Sequence, residues 1–392
     1  MTTYTATIDG APASWSDRKR LLWLLGLVVP LLPLAGAWLA LGAGVRLGWW
    51  IGPLWVVAVV PLLDALAGTD RSNPPDWAYA HLDADRYYRW CTFAFVPLQY
   101  AALIAGCWLA MREPSLQWLD KLGLCLTVGT SGGVGIATAH ELGHKKTAFE
   151  RWLARIVLAQ SAYGHFFVEH NRGHHTRVAT PEDPASARLG ESFYAFWLRS
   201  VVGSFKSAWE LEKHRLERHG TSPWSIHNQV LTAWAMTVAL FGGLLLWLGP
   251  QLAPFLALQA VVGFSLLEVV NYLEHYGLLR QRDADGKVEL CTPQHSWNSN
   301  HSASNLLLYH LQRHSDHHAW PARRYQALRH FQESPQLPSG YATMLLLACV
   351  PPLWRAVMDK RVVAHYGGDV RLANLQPSAR ERLLRTWPPP AP

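Results

Sequence analysis

Six apolar runs, each about as long as a bilayer is thick, restrict this 392-residue chain more than any other feature of its sequence. A helix needs roughly 20 consecutive apolar residues to cross the hydrocarbon core of a membrane. The runs lie at 21–43, 48–67, 91–111, 118–139, 229–249 and 252–275. Only helices and closed barrels satisfy their backbone polar groups in lipid. The sequence therefore predicts an all-α integral membrane protein with six transmembrane helices.

Lys and Arg residues are distributed unevenly between the two sets of loops. They are frequent before the first run, after the second and after the fourth, whereas the opposite loops hold only Arg46, Arg112 and Lys121. Positive charge is enriched in cytoplasmic loops, so both termini are predicted to lie in the cytoplasm. The net charge of +7 is explained by this bias, and the chain has no basic stripe with interleaved aromatics that would indicate nucleic-acid binding.

This topology divides the chain into five segments. A cytoplasmic N-terminal segment (1–20) precedes transmembrane helices 1–4 (21–139). A cytoplasmic region with histidine motifs (140–228) follows, then transmembrane helices 5 and 6 (229–275), then a cytoplasmic C-terminal catalytic region (276–392). The fourth and sixth runs both end at the cytoplasmic face.

Nine histidines form four short clusters that follow these runs: His140 and His144; His170, His174 and His175; His275; His314, His317 and His318. Within three clusters, two histidines stand four residues apart and would share one face of a helix. Two adjacent histidines point about 100° apart on a helix, so one helix can offer a ligand to each of two metals. Nine imidazoles are too many for one ion. The sequence predicts a histidine-rich, helical two-metal centre at the cytoplasmic face.

The ligand type narrows the choice of metal. No C-x-x-C pair occurs, and nitrogen ligation without thiolate suits iron, copper or zinc. The segment from His140 to His144 also matches H-E-x-x-H, in which Glu141 would be the general base of a zinc metalloprotease. A protease zinc needs only three protein ligands, which leaves six of the histidines unexplained. A metal transporter is also weaker, because the ionisable residues collect at one face.

Several polar residues near the histidines are candidates for supporting the metal ligands. Each of four carboxylates neighbours a predicted ligand: Glu141, Glu169, Glu274 and Asp316. A carboxylate can accept the second imidazole N–H and fix the ring, although ion pairs with nearby Lys and Arg explain these residues equally well. Glu268 and Asn271 lie inside the sixth run, where polar side chains face the protein interior and usually serve function.

The four clusters resemble the signature motifs of the membrane-bound alkane 1-monooxygenases (alkane ω-hydroxylases), which belong to the fatty acid desaturase/hydroxylase-like superfamily. The resemblance rests on His140-Glu-Leu-Gly-His144-Lys-Lys, Glu169-His-Asn-Arg-Gly-His174-His175, Asn271-Tyr-Leu-Glu-His275-Tyr-Gly and Leu311-Gln-Arg-His314-Ser-Asp-His317-His318-Ala. It extends over nearly the whole chain, including Pro61-Leu-Leu-Asp64, Asn73-Pro-Pro75 and His295-Ser-Trp-Asn-Ser-Asn-His301. Membrane desaturases and sterol or carotenoid hydroxylases share only the looser spacing of the histidines.

The resemblance implies a non-haem di-iron centre, with the nine histidines as iron ligands and O2 as co-substrate. It implies hydroxylation of the terminal methyl of n-alkanes to 1-alkanols in the bacterial cytoplasmic (inner) membrane. Electrons would come from an NAD(P)H-dependent reductase through rubredoxin, a separate protein here because the chain lacks paired C-x-x-C motifs. A membrane di-iron desaturase, or another lipid or hydrocarbon hydroxylase, is the alternative, and an intramembrane zinc metalloprotease is the weakest.

An alkane dissolves in the bilayer, so its path to such a centre is expected to lie between the helices. We expect a narrow apolar channel that is closed near the metals. Trp55, Val56 and Val59 of the second run are candidate lining residues that would limit chain length. Lipid contact or helix packing explains each of these side chains equally well.

Overall fold

The computed structural model describes residues 2–390, and nearly all of its regular structure is helical, as predicted. Apart from single 3-10 turns, the helices are α1 (Arg20–Gly42), α2 (Arg46–Ala67), α3 (Tyr79–Ala84), α4 (Arg86–Arg112), α5 (Trp118–Gly143), α6 (Ala148–Gln160), α7 (166–177), α8 (Phe193–Glu217), α9 (Gln229–Leu248), α10 (Pro250–His275), α11 (Ser302–Leu307), α12 (His314–Ala319), α13 (Tyr341–Ala348), α14 (Pro351–His365) and α15 (Arg380–Thr386).

Six of the described helices, namely α1, α2, α4, α5, α9 and α10, are long and apolar enough to cross a membrane, which confirms the six predicted spans. Two boundaries differ from the hydropathy runs. Helix α4 begins at Arg86, because the Asp85 side chain accepts a hydrogen bond from the Tyr87 backbone N–H and caps the helix. Helix α5 continues to Gly143, so His140 lies on its last turns.

A β-hairpin at the N-terminus was not predicted. Strands β1 (Thr3–Ile8) and β2 (Ala11–Ser16) pair in antiparallel fashion through a two-residue turn at Asp9 and Gly10. Both turn residues have positive φ, which Asp-Gly adopts in hairpin turns. The Tyr4 hydroxyl donates to Asp85, which joins the hairpin to the start of α4. The hairpin adds a small sheet to an otherwise helical protein.

The ends of the six long helices fall into two groups. At one end, Lys19 pairs with Asp70, and the Ser304 backbone N–H donates to Asp64 at the end of α2. The extended polar segments and the histidine clusters lie at this end, which we call the histidine end. At the other end the connections are short, and Arg46 pairs with Asp120. The helices therefore alternate in direction, and both the segment before α1 and α15 near the other end of the described chain lie at the histidine end.

Helices α1 and α2 are irregular near their prolines. Helix α1 begins with the 3-10 segment Arg20–Leu27 and ends with a π-helical turn at Trp38–Gly42. Helix α2 contains a π-helical turn at Trp55–Val59, between Pro53 and Pro61. Proline removes a backbone donor and clashes with the preceding turn, and π turns occur at such interruptions, often at functional sites.

The segment after α5 turns back along the same helix. Helix α6 leads to Gln160, whose side chain lies against Gly132 near the middle of α5. The Gln259 amide of α10 donates to the Gln160 carbonyl at 2.8 Å, and α7 then returns to the histidine end. The segment's polar backbone is tolerated at this depth because protein surrounds it. The assignment of 140–228 to the cytoplasm stays a prediction, and the tip of this segment lies deeper than that assignment suggests.

The C-terminal region packs against α10. The apolar stretch from Tyr341 is broken before Pro351, and α13 and α14 meet at an angle of 119°, because proline favours a new helix start over continuation of the old one. Trp354 of α14 is buried against the rings of Tyr272 and Tyr276. This packing brings α13 beside the last turns of α10, next to the histidines.

Small residues allow α5 and α10 to pack closely, as the glycine-rich fourth run predicts. A Cβ atom on Gly129 would lie 2.8 Å from the Gln259 carbonyl oxygen, and one on Gly133 would lie 2.8 Å from the Gly263 carbonyl oxygen. The two backbones therefore approach with no room for a side chain. This contact fixes the position of His140 relative to His275.

We predict that Gly129→Ala lowers stability by about 1–3 kcal/mol, because the added methyl overpacks the contact between α5 and α10. The measurement is thermal unfolding in detergent. Gly243→Ala is the matched control, since a Cβ there meets no atom within 4 Å and Ala favours the helix. Equal melting temperatures for the two variants would contradict the close packing of α5 on α10.

Candidate metal centre

The nine predicted histidines converge in two adjoining groups at the histidine end. The five-histidine group contains His140, His144, His170, His175 and His317. The four-histidine group contains His174, His275, His314 and His318. Within each group, one ring nitrogen from every histidine lies within 4.8 Å of all the others. Four distant parts of the chain therefore form one site, as the topology predicts.

A π-helical turn determines how His170, His174 and His175 are divided between the two groups. We expected His170 and His174 to share a helix face, but His170 falls in the five-histidine group with His175, and His174 falls in the four-histidine group. The turn Glu169–His174 is π-helical. Because π-helical hydrogen bonds join residues five apart, residues i and i+5 approach the same side. The expected i, i+4 pairing does hold for His140 with His144.

Helix α12 supplies histidines to both groups. His314 and His318 lie one turn apart in the four-histidine group, as predicted, and their Nε2 atoms are 2.9 Å apart. His317 points to the five-histidine group, where its Nε2 lies 3.0 Å from that of His175. The preceding residue, Arg313, is buried and donates to the backbone carbonyls of Asp70 and Leu328. These hydrogen bonds fix the position of the start of α12.

Two ligand rings are oriented from behind by oxygen atoms. The Asp183 carboxylate lies 2.9 Å from His174 Nδ1, and the His295 carbonyl oxygen accepts from His275 Nδ1 at 3.0 Å. Both contacts leave Nε2 aimed into the site. Burial alone would raise the pKa of Asp183, but His174 and the Ser186 hydroxyl outweigh it and lower the pKa to about 2. Asp183 is therefore ionised at neutral pH.

Asp183 was not among the site residues predicted from the sequence. It stands in Pro181-Glu-Asp-Pro184, a turn-forming stretch that carries no periodic signal. The contact of His295 is made by its carbonyl oxygen, and no side-chain pattern can reveal a backbone contact. His310, four residues before His314, belongs to neither group; its ring packs on Trp23 and its Nδ1 lies 2.9 Å from the Tyr325 carbonyl oxygen.

The two groups have the properties of a metal site. Buried imidazole nitrogens without a hydrogen-bond partner are costly unless another group binds them, and this is the state of Nε2 in His140, His144, His174 and His275. Two nitrogens bound at about 2.1 Å to one metal lie roughly 3.0–3.4 Å apart. The Nε2 atoms of His170 and His175 are 3.1 Å apart, within that range.

The protonation state also favours metal binding. Outside the membrane-spanning helices, burial lowers the imidazole pKa values well below their usual range, and neighbouring imidazoles lower them further: His144, His170, His175, His314, His317 and His318. These rings are neutral at physiological pH, and a neutral imidazole has a free nitrogen lone pair for a metal.

Three of the predicted supporting carboxylates have cationic partners. Their ion pairs are Glu141 with Lys145 at 2.9 Å, Glu169 with Arg177 at 3.0 Å, and Asp316 with Arg323 at 2.6 Å. Among the described residues, none of these three carboxylates hydrogen-bonds to a ring of the two groups. Glu268 accepts from the Tyr163 hydroxyl at 2.6 Å, away from the histidines. Of the five predicted supporting carboxylates, only Glu274 is seen to contact a histidine ring of the two groups among the described residues, and that ring is His314.

An apolar cavity reaches the histidines from inside the helix bundle. It is lined by α1, α2, α5, α10, α11 and α13, and it ends at His140, His170 and His314. From Gly133 to His140 the cavity follows α5 for two turns, roughly 10 Å. Trp55 and Val56 line it, as expected, whereas Val60 takes the place expected for Val59. Asn271 and Glu274 are its polar wall next to the histidines.

The fold and the site together define a multi-pass membrane protein with a histidine-rich metal-binding site. Comparison with known proteins places the chain in the same class. The sequence model of the fatty acid desaturase family matches residues 116–348, which include all nine histidines.

Full-length relatives identify the family within this class. The alkane 1-monooxygenase of Ectopseudomonas oleovorans is 47% identical over 380 residues, covering 97% of this chain and 94% of the relative. That of Pseudomonas putida is 45% identical, covering 98% and 95%. The xylene/toluene monooxygenase hydroxylase component of P. putida is 31% identical, covering 80% and 84%. The chain belongs to the alkane 1-monooxygenase family and is an enzyme.

We predict that Asp183→Asn weakens metal binding about 10- to 100-fold, because Asn keeps the shape but loses the charge that orients His174. The measurement is an anaerobic metal titration of the purified, metal-free protein. Asp120→Asn is the control, because Asp120 is also a buried carboxylate but lies at the opposite end of α5. An unchanged metal affinity in Asp183→Asn would show that the charge of Asp183 is not needed to orient His174.

Proposed function

We propose that the nine histidines hold two iron ions and that the enzyme hydroxylates the terminal methyl group of n-alkanes with O2. The observation that carries this proposal is the end of the apolar cavity, where ring nitrogens from both histidine groups meet a space shaped for a hydrocarbon. Nitrogen donors without thiolate suit iron. The alkane 1-monooxygenases that resemble the chain along its whole length support the reaction class.

The chemistry explains why metal ligands, and not acid–base residues, fill the site. A methyl group has neither an acidic proton nor a leaving group, so acid–base and nucleophilic side chains have nothing to attack. Two irons held by the nine histidines would supply, together with O2, the oxidising power that side chains lack. The chain's own residues then bind the alkane, orient it and exclude water. Leu266, Val270 and Leu308 are among the apolar side chains that line the cavity beside the histidines and would do so.

Trp55 is proposed to limit the length of the substrate. It lies in the π-helical turn of α2 and lines the cavity together with Val56. A chain whose methyl group reaches the histidines must place its other end toward this bulky ring. The apolar walls have no hydrogen-bonding requirement, so they would bind alkanes by burial alone.

The proposed electron donor is a separate rubredoxin that docks at the histidine end. His144 and His175 are partly exposed there, so the centre is closest to water on this side. A surface groove beside them is lined by the exposed Lys146 and by Arg89, among others. Proteins of the rubredoxin class are acidic, and basic residues of this kind would steer such a partner to the site. Rubredoxin would receive its electrons from an NAD(P)H-dependent reductase.

The charge distribution supports a cytoplasmic histidine end in a bacterial inner membrane. Most Lys and Arg residues near the ends of the long helices lie at the histidine end, while Arg46, Arg112 and Lys121 are at the other. This bias follows the positive-inside rule. It would put both termini, 140–228 and 276–392 on the cytoplasmic side, where soluble electron carriers are available.

The matched desaturase family keeps a second candidate open, which is a di-iron desaturase or another lipid hydroxylase. Products separate the two, because hydroxylation yields an alcohol and desaturation yields an alkene. The zinc metalloprotease is disfavoured by geometry, since Glu141 pairs with Lys145 and accepts from the Tyr325 backbone N–H. A general base held in this way does not face a metal-bound water.

The deciding experiment combines iron analysis with product analysis. We expect about two irons per chain and 1-octanol from octane when rubredoxin and its reductase are added. We expect His317→Ala to lose iron and activity while the protein still inserts into the membrane, whereas His214→Ala, an exposed histidine, changes neither. An active His317→Ala enzyme with full iron would refute the ligand assignment, and an alkene product would favour the desaturase.

We also predict that Trp55→Ser extends the range of alkanes toward longer chains, because it removes the largest side chain in that part of the cavity. Turnover of octane and hexadecane by wild type and variant measures the change. Trp38→Ser is the control, since Trp38 is exposed on the outer surface of α1. An identical ratio of hexadecane to octane turnover in wild type and Trp55→Ser would exclude Trp55 as a limit on length.

A further inference from the structure

Glu274 differs from the other carboxylates near the histidines in having no cationic partner. Among the described residues, Glu141, Glu169 and Asp316 each pair with a Lys or Arg side chain. Glu274 is just as deeply buried, with 2% of its surface exposed, but its polar contacts are a hydroxyl and a histidine. Buried charges in proteins are paired or coordinate metals, so an ionised Glu274 would be stabilised by a positive charge that the protein itself does not supply.

The two oxygens of Glu274 have different contacts. Oε1 accepts a hydrogen bond from the Tyr341 hydroxyl at 2.9 Å. Oε2 lies 3.1 Å from Nε2 of His314, which is also the nitrogen that approaches His318. That distance equals the spacing of two ligands bound to one metal at adjacent positions, roughly 3.0 Å or slightly more. Tyr341 thus holds one oxygen in place while the other points to the four-histidine group.

The two groups differ by one ligand. One group holds five histidines and the other four, and the carboxylate contacts His314 of the group with four. We propose that Glu274 Oε2 is the fifth ligand of the metal ion in the four-histidine group. This inference rests on the proposed di-iron function and deepens it by assigning an oxygen ligand that histidine spacing could not reveal.

An oxygen ligand would make the two metal ions unequal. The five-histidine group offers only neutral nitrogen donors, whereas Glu274 would bring a negative charge and a harder donor to the other ion. Glu274 also lines the apolar cavity beside His314. The anionic ligand would therefore lie at the end of the cavity, where rings of both groups are found. In the buried site, the carboxylate would offset part of the charge of two divalent ions.

The test is a comparison of Glu274→Gln with wild type by metal titration. Metal-free full-length protein in detergent is titrated anaerobically with Co(II), and the bound metal and its visible absorption are measured. We expect two Co(II) per wild-type chain. In Glu274→Gln, which keeps shape and loses charge, we expect one site to weaken at least about 10-fold, because the loss of a residue that only orients a ligand already costs about that much, while the five-histidine site binds as before.

Glu268→Gln is the matched control, because Glu268 is a fully buried glutamate on the same helix that accepts a hydrogen bond from Tyr163 and, among the described residues, contacts no ring of the two groups. It should bind two Co(II) like wild type. Tyr341→Phe keeps the carboxylate and removes only its hydrogen bond, so it should retain two ions with a smaller loss of affinity. Tyr341 is thus a positioning residue.

The outcomes are distinguishable. A folded Glu274→Gln protein that binds two Co(II) with wild-type affinity and absorption overturns the Glu274 assignment and leaves the two-metal site intact. Wild type that binds fewer than two ions overturns the proposed function and the inference with it. If Glu274→Gln does not fold, Glu274→Asp decides the matter, because Asp keeps the charge but its shorter side chain withdraws the oxygen from His314. One of the two Co(II) ions should then bind more weakly, and two Co(II) bound with wild-type affinity contradict the proposal.

Discussion

The structure depends on nine imidazoles gathered into two groups, in which the closest Nε2 atoms are 2.9–3.1 Å apart, in a site closed to water on most sides. Lone pairs at that separation repel, and unpaired buried nitrogens are costly. Cations between them would turn this repulsion into attraction. The surrounding structure is built to hold the rings in place: Asp183 and the His295 carbonyl fix two of them, and Arg313 anchors the helix that carries three. A metal-binding free energy of this kind is also folding free energy.

The membrane and the site place opposite demands on the same helices. Lipid and hydrocarbon substrate require apolar surfaces, whereas metal ions require polar donors. The chain meets both by separating them along the helix axes. Helices α5 and α10 are apolar or small through most of their length and carry His140 and His275 only at their last turns. The cavity runs from the apolar part of α5 at Gly133 to the histidines at the helix ends. A hydrocarbon can therefore reach the histidines without leaving an apolar environment.

Much of this could be predicted from the sequence, because hydropathy and histidine spacing are strong local signals. The six spans, the common end of the four clusters and the close approach at Gly129 follow from run length, charge bias and small residues. The grouping of His170 with His175 could not, because the π-helical turn depends on tertiary packing. Asp183 lies in a loop, and the contact of Glu274 with His314 joins residues 40 positions apart. The Asp9-Gly10 turn did carry a hairpin signal, but its short flanking strands lack a clear apolar alternation.

Each histidine group draws on widely separated parts of the chain. The five-histidine group takes rings from α5 and its end, from α7 and from α12, and the four-histidine group takes rings from α7, α10 and α12. Neither group is complete until His317 and His318 have been synthesised. A ribosome that has released only the first five long helices has therefore exposed some of the donors of each group and completed neither. Full loading of the proposed metal sites would follow translation of most of the chain, so the cell would supply ions to an inserted, nearly finished protein.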